Sequence, residues 1–371
     1  MLEEIQVVYM SVRILKFWSL IYDHNWRRYL CLSMTSILNI TQFNYMFLTH
    51  ESVDAKIRNA YMLVLWSNTI IRAYLLVHQK AKYEKFLKDL EYIYYEIKKD
   101  GDKYIQSLLD ETNLMGKYMS RLNLFLGLLT CIGFGSYPLF ANEKVLPFGS
   151  IVPGLDEYKT PFYEILYVYE MIVTPMGCCM YIPFTSLIVA FIMFAILMCK
   201  VLQYRLRNLK NPGDSNEVIK TKLIWCIKFQ KTIIRYIQTV NNLTTYIFFL
   251  EFMAFGILLC ALLFLLIIVD SLAEAVIVCA YITMIFAQIL ALYWYANELY
   301  QQTLNIAAAA YETNWFEFEI PTQKYLMLLI LRAQKPCSLM VGNVHPMNLE
   351  TFQSLLNVSY SYFTLLKRIY G

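Results

Sequence analysis

Apolar residues in this chain gather into long runs parted by short polar stretches, rather than alternating with polar ones. Runs of that length predict helices that cross a membrane, since a hydrocarbon core about 30 Å thick takes roughly 20 residues of helix. The first run, Tyr29 to Thr49, is uncharged and opens on the interfacial cluster Trp26-Arg27-Arg28-Tyr29. The second, Asn59 to Gln79, is broken by Arg72, expected to snorkel toward the near surface. Leu122 to Phe140 ends in Gly133, Gly135 and Pro138. Met171 to Cys199 holds no charge over 29 residues, about 43 Å as helix, so it must tilt or protrude. Pro175 and Pro183 are predicted kinks within it. Phe252 to Val269 and Ala275 to Asn297 form a tight helical hairpin, and Met347 to Gly371 is the seventh span.

Lysine and arginine orient the spans, because cytoplasmic loops carry the excess. One set of alternate segments holds 25 of them and the other 6, which predicts a cytoplasmic N-terminus and an extracellular C-terminus. The expected fold class is therefore an all-α membrane protein of seven transmembrane helices with a helical intracellular domain. The division is a cytoplasmic N-terminal segment (1–28), spans one to four (29–200), cytoplasmic helices (201–246), spans five and six (247–297), a second cytoplasmic stretch (298–346) with a re-entering helix at 322–335, and span seven (347–371). A receptor coupled to G proteins would need the opposite orientation. Sequons at Asn39, Asn242 and Asn357 fall in the membrane or on the cytoplasmic side, so none is expected to carry glycan.

Composition agrees with the runs: 58% of residues are hydrophobic, 16% charged, and the mean hydropathy is +0.44. The net charge of +4 comes with no basic run interleaved with aromatics, so no nucleic-acid partner is expected. The acidic start, MLEEIQVVYMSVR, does not read as a cleavable signal peptide. No catalytic motif is present, the four histidines are scattered, and no pair among the nine cysteines has zinc or redox spacing. Neither an enzyme nor a metal or other cofactor is expected. A transporter is disfavoured by the lack of an internal repeat and of paired ionisable residues.

The predicted outer halves of spans two, three, four and six are rich in aromatic, methionine, cysteine and small residues. Candidate ligand contacts there are Met62, Trp66 and Thr69; Ile132, Ser136 and Tyr137; Met171, Thr174 and Cys178; and Cys279 with Ile282. Such a lining suits a small neutral ligand, a compact and preferably aromatic volatile, fixed by one or two hydrogen bonds; ordinary packing between helices needs the same residue types. Glu170, beside span four, reads as an interfacial residue near Tyr167 and Tyr169, or as a ligand contact. In span seven, Ser354, Val358, Ser361, Leu365 and Arg368 share one face of a helix otherwise carrying Phe352, Leu355, Leu356, Tyr360, Phe363 and Leu366. A small, hydroxyl-bearing face in a membrane either packs closely on a neighbour or lines water.

Two stretches carry a family resemblance. The closing YSYFTLLKRIYG, from Tyr360, resembles the C-terminus of insect odorant receptors, with its Ser/Thr-Tyr-Phe triplet. The segment PFGSIVPGLDEYKTPFYEILYVYE, from Pro147, resembles that family's second outer loop, with a Pro-x-Tyr-Glu step into the fourth helix. The resemblance implies an odorant-gated, non-selective cation channel subunit in the plasma membrane of olfactory sensory neurons, tuned to an odorant rather than serving as co-receptor. It implies a heterotetramer with co-receptor subunits, bedded in membrane lipid, around a pore lined by span seven, with an intracellular anchor domain. Matching Ser361-Tyr362-Phe363 to the triplet puts Leu365 at the family's hydrophobic gate and Arg368 near the outer mouth, where an arginine departs from what a cation pore favours. A seven-helix receptor acting through a soluble partner, or a small-molecule transporter, is the alternative.

Overall fold

The uncharged run of the fourth span becomes the centre of the molecule. It lies in one helix of 46 residues, Phe162–Arg207, that continues through both Pro175 and Pro183. Every residue from 182 to 199 in it is buried. A helix apolar on all sides must be covered on all sides, and neighbours supply that cover here. At 1.5 Å per residue it is about 69 Å long, so it projects well past a bilayer core. The structure is a computed structural model and describes residues 2–48, 53–99, 101–140, 144–269 and 272–370.

In chain order the described helices are α1 (Gln6–Phe17), α2 (Trp26–Leu48), α3 (Val53–His78), α4 (Lys80–Lys99), α5 (Lys103–Phe140), α6 (Phe162–Arg207), α7 (Asn216–Ile268), α8 (Leu272–Tyr311), α9 (Ile320–Ala333) and α10 (Leu349–Tyr370). Helices α3, α5, α6, α7 and α8 are long and apolar enough to cross a membrane. Helices α2 and α10, of 23 and 22 residues, have the length to do so at lower hydropathy. Together they make the seven spans. Asp270 and Ser271, at the tip of the α7–α8 hairpin, lie outside the described residues.

Three of the spanning helices run far beyond the apolar runs that announced them: α5 has 38 residues, α7 has 53 and α8 has 40. Their extensions, with α1, α4 and α9, build a second helical layer at one end. Polar side chains there cap backbone carbonyls across helices, as an apolar interior requires: Tyr83 donates to Leu243 O at 3.1 Å, Tyr236 to Phe191 O at 3.1 Å, Gln203 to Gln302 O at 3.0 Å and Gln230 to Leu329 O at 3.3 Å. The N-terminal segment belongs to this layer. Val7, Val8, Val12 and Leu15 of α1 are buried, and Val7 sits so close to Gly116 that a Cβ there would stand 2.2 Å from Val7 Cγ2.

Arg72 does not snorkel. Its side chain is 3% exposed and Nη1 lies 2.6 Å from Glu251 Oε2 on α7, inside the bundle. An ion pair removes the need to reach the interface, because the charge finds its counter-charge within the protein.

A two-stranded hairpin, β1 (Met340–Val341) with β2 (His345–Pro346), leads into α10 and is tied to α7. Met340 N–H donates to Asn241 Oδ1 at 2.7 Å, Gly342 N–H to Thr245 O at 3.1 Å, and the Thr245 hydroxyl to Met340 O at 3.1 Å. Gly342 takes φ +60, and a Cβ on it would meet Phe249 at 2.8 Å. Gly342→Ala is therefore expected to destabilise the protein by about 1–2 kcal/mol from the backbone conformation alone, read as a lower thermal midpoint of the detergent-solubilised protein; an unchanged midpoint would remove the hairpin as an anchor for α10.

Candidate ligand-binding site

Among the spanning helices lies a cavity of about 90 Å³, walled by five of them and roofed by a loop. Each helix presents residues at three- and four-residue spacing, one stripe apiece. Helix α3 gives Met62, Leu65, Trp66, Asn68 and Thr69; α5 gives Gly127, Thr130, Cys131 and Phe134; α6 gives Thr174, Gly177, Cys178, Tyr181 and Ile182. Helix α8 adds Tyr281, Met284, Ile285, Gln288 and Ile289, and α7 adds Glu251, Ala254, Phe255 and Leu258. Two glycines let the walls approach. A Cβ at Gly177 would lie 2.4 Å from the Trp66 ring, and one at Gly127 would lie 1.9 Å from Ile182 Cδ1.

The roof is Phe148, edge-on to Trp66 with centroids 6.2 Å apart and 6.1 Å from Phe134. Glu170 holds it there. That carboxylate is 0% exposed and accepts the Phe148 N–H at 3.0 Å and the Ser150 hydroxyl at 2.6 Å. A buried carboxyl group needs hydrogen-bond partners; two donors from one loop engage one oxygen each and fasten the loop to α6. Glu170 thus faces the protein interior and lies outside the cavity wall. Ile151 N–H adds a bond to Thr41 O at 3.1 Å.

At the opposite end the wall is charged but balanced. Glu251 accepts from Tyr181 at 2.5 Å and pairs with Arg72, whose second guanidinium nitrogen donates to Thr185 at 2.9 Å. With each charge answered locally, the cavity favours a neutral occupant. Three polar groups in its wall are unanswered: the Trp66 indole N–H, the Asn68 amide oxygen and the Tyr281 hydroxyl are buried without a hydrogen-bond partner among the described residues. An unmet buried donor or acceptor costs about 1–3 kcal/mol, which a ligand carrying complementary groups would recover. Among the described residues no cluster of three or more His, Cys, Asp or Glu is placed to hold a metal ion.

Of the residues expected to line a ligand site, Met62, Trp66, Thr69, Thr174 and Cys178 do line this cavity. Ile132 does not; at 64% exposure it faces outward, one position from Cys131, which faces in. Met171 packs on Gly135 outside the wall, and Cys279 is exposed, two residues from the inward Tyr281. Ser136 donates to its own helix at Gly133 O, and Ile282 packs beside the cavity without lining it. The Tyr137 side chain lies outside what the structure describes. Ile132, Cys279 and Ile282 each lie one or two positions from a residue in the wall, and neighbouring helical residues point about 100° apart. Two contributors went unnoticed altogether: Phe148, in a loop with no periodicity, and helix α7. A single acidic residue, Glu251, beside one apolar run and a single arginine inside another was the signal for the second.

The other candidate feature is the stripe on α10. Ser354, Val358, Ser361, Leu365 and Arg368 are all exposed on the single chain, Leu365 by 54%. The opposite face is buried: Phe352 lies 6.4 Å from Phe255 on α7 and 5.5 Å from Phe286 on α8, centroid to centroid. Ser354 and Ser361 return their hydroxyls to Glu350 O and Asn357 O.

With this geometry in hand, the comparisons with known proteins agree with one another. The 7tm Odorant receptor family model matches residues 52–360. Odorant receptor 30a of Drosophila melanogaster is 48% identical over 97% of this chain and 96% of its own length. Odorant receptor 10 of Aedes albopictus is 43% identical over 98% of each. Among solved structures, the insect olfactory receptor OR5 from Machilis hrabei in complex with eugenol superposes with a TM-score of 0.84 at 18% identity, covering 98% of this chain and 97% of that one.

The close approach at Gly177 is open to test. Gly177→Ala is expected to lower the thermal midpoint by the equivalent of about 1–3 kcal/mol through overpacking, and adding Trp66→Ala to recover part of it. A harmless Gly177→Ala would mean that the indole does not rest where the structure has it.

Proposed function

We propose, on the premise that this chain belongs to the odorant receptor family, that it is the odorant-binding subunit of a ligand-gated cation channel. It is a membrane-spanning receptor of that family and not an enzyme. In the proposed arrangement it stands in the plasma membrane with its N-terminus inside and its C-terminus outside, and joins co-receptor subunits around a shared pore. The observation that carries the reading is the position of α7. One of its faces lines the cavity through Ala254, Phe255 and Leu258, and the same Phe255 meets the tilted ring of Phe352 of α10. A ligand and the pore-facing helix are thus separated by the thickness of one helix.

The occupant is a compact neutral volatile with a hydrogen-bonding group and, by the aromatic walls, a preference for aromatic character. Eugenol, bound by the similar OR5 protein, is of that chemical kind. By filling the cavity such a molecule favours one packing of α7, and α10 follows. The exposed Leu365 then leaves the pore axis and the constriction wets. Moving the population from closed to open at ratios of 1:99 to 99:1 takes a differential affinity of about 5.5 kcal/mol, and a smaller difference suffices for a partial response. Arg368, one turn beyond Leu365, repels cations at the mouth unless diluted by subunits lacking it.

Expression with and without an insect co-receptor tests the reading directly. A panel of neutral volatiles including eugenol should evoke inward cation current only when both chains are present; silence with both, at normal surface expression, would refute it. In that heteromer Leu365→Ala should raise the ligand-free current several-fold, while an unchanged current-voltage record would take the gate away from this residue. Trp66→Ala should raise the half-maximal ligand concentration by about tenfold or more, the scale of an aromatic contact plus a hydrogen bond, with surface expression retained.

A further inference from the structure

The charged end of the cavity joins three helices at one point. Arg72 of α3 holds Glu251 of α7 at 2.6 Å and Thr185 of α6 at 2.9 Å, and its guanidinium lies over the rings of Tyr181 at 4.5 Å and Phe184 at 5.2 Å. Tyr181 closes the set by donating to the other oxygen of Glu251. Both carboxylate oxygens are engaged, and both side chains are almost wholly buried. In such surroundings an ion pair fixes the relative placement of the helices that carry it, because losing either partner leaves a bare charge in an apolar bundle.

What α7 does next to Glu251 gives that placement a consequence. Within the sixteen residues 241 to 256, Asn241 and Thr245 bind the hairpin that leads into α10, Glu251 meets Arg72, Ala254 and Phe255 line the cavity, and Phe255 and Gly256 face Phe352 and Leu355 of α10. Sixteen residues of helix span about 24 Å. The Arg72–Glu251 ion pair therefore meets α7 between its bonds to the hairpin that leads into α10 and its contacts with α10 itself.

We propose that Arg72 and Glu251 are a positioning pair that sets the resting place of α7 between the odorant cavity and α10, and so sets how much ligand is needed to open the pore. The proposal rests on the channel reading above. It differs from a purely structural role in what it predicts: a structural pair governs how much protein reaches the surface, whereas a positioning pair also governs the channel that does arrive.

The test uses the heteromer with co-receptor, current being normalised to surface protein and evoked by the panel volatile that is strongest on the unsubstituted chain. Arg72→Gln and Glu251→Gln should each change the ligand-free current and move the half-maximal concentration at least about fivefold. The Arg72→Gln/Glu251→Gln double substitution should fall no further than the worse single, since the pair acts as a unit. Midpoints and ligand-free currents within twofold of the unsubstituted chain, or strictly additive effects in the double, would overturn the proposal. If the glutamine variants do not reach the surface, Tyr181→Phe and Thr185→Val, which each remove one hydroxyl from the cluster, carry the same two outcomes. An unsubstituted heteromer that gives no evoked current would defeat the channel reading; a responsive one with indifferent variants would defeat this inference alone.

Discussion

A guanidinium and a carboxylate inside an apolar bundle tolerate very few arrangements. Arg72 and Glu251 satisfy each other at 2.6 Å, and Thr185, Tyr181 and the Phe184 ring complete the enclosure. Removing one partner from such a pair costs several kcal/mol, far more than keeping it contributes. The pair is therefore better understood as a fixed point than as a source of stability. It pins α7 against α3 and α6, and α7 both walls the cavity and packs on α10.

From that fixed point the remaining geometry follows by helical periodicity. One turn along α7 from Glu251, Ala254 and Phe255 reach the cavity. Phe255 and Gly256 reach α10, which also begins from a hairpin bound to Thr245. Because the interior is close-packed, a change in what fills the cavity is felt by the helix that walls it. At the far end Glu170 holds Phe148 over the opening by two hydrogen bonds, so one buried carboxylate positions the roof while another positions the wall.

Much of this was legible in the sequence, and the illegible part has a physical pattern. The apolar runs each fall largely within one of seven helices long enough to cross a bilayer. They understated α5, α7 and α8, whose extensions are amphipathic and lie outside the runs. They also passed over α1, a short helix whose buried face packs on α5 and α6 and whose Val7 sits against Gly116. Met62, Trp66, Thr69, Thr174 and Cys178 line the cavity. Rotation about each axis was not readable for Ile132, Met171 and Cys279, because helices apolar on several faces carry little phase information. Arg72 was assigned to the interface because a lone arginine in a span has no visible partner in sequence, and its partner lies 179 positions away. The motif at the chain's end and the segment from Pro147 pointed to the family that the whole-chain relatives then established.

The most direct measurement of the central claim is a pair of maps of the heteromer, with and without an activating volatile, at a resolution that shows side chains. Ligand density is expected between Trp66 and Tyr281 beneath Phe148, with a shift of α7 that carries Phe352 and α10 with it and moves Leu365 off the pore axis. Ligand density outside that cavity, or an open pore with α7 unmoved relative to α3, would contradict it.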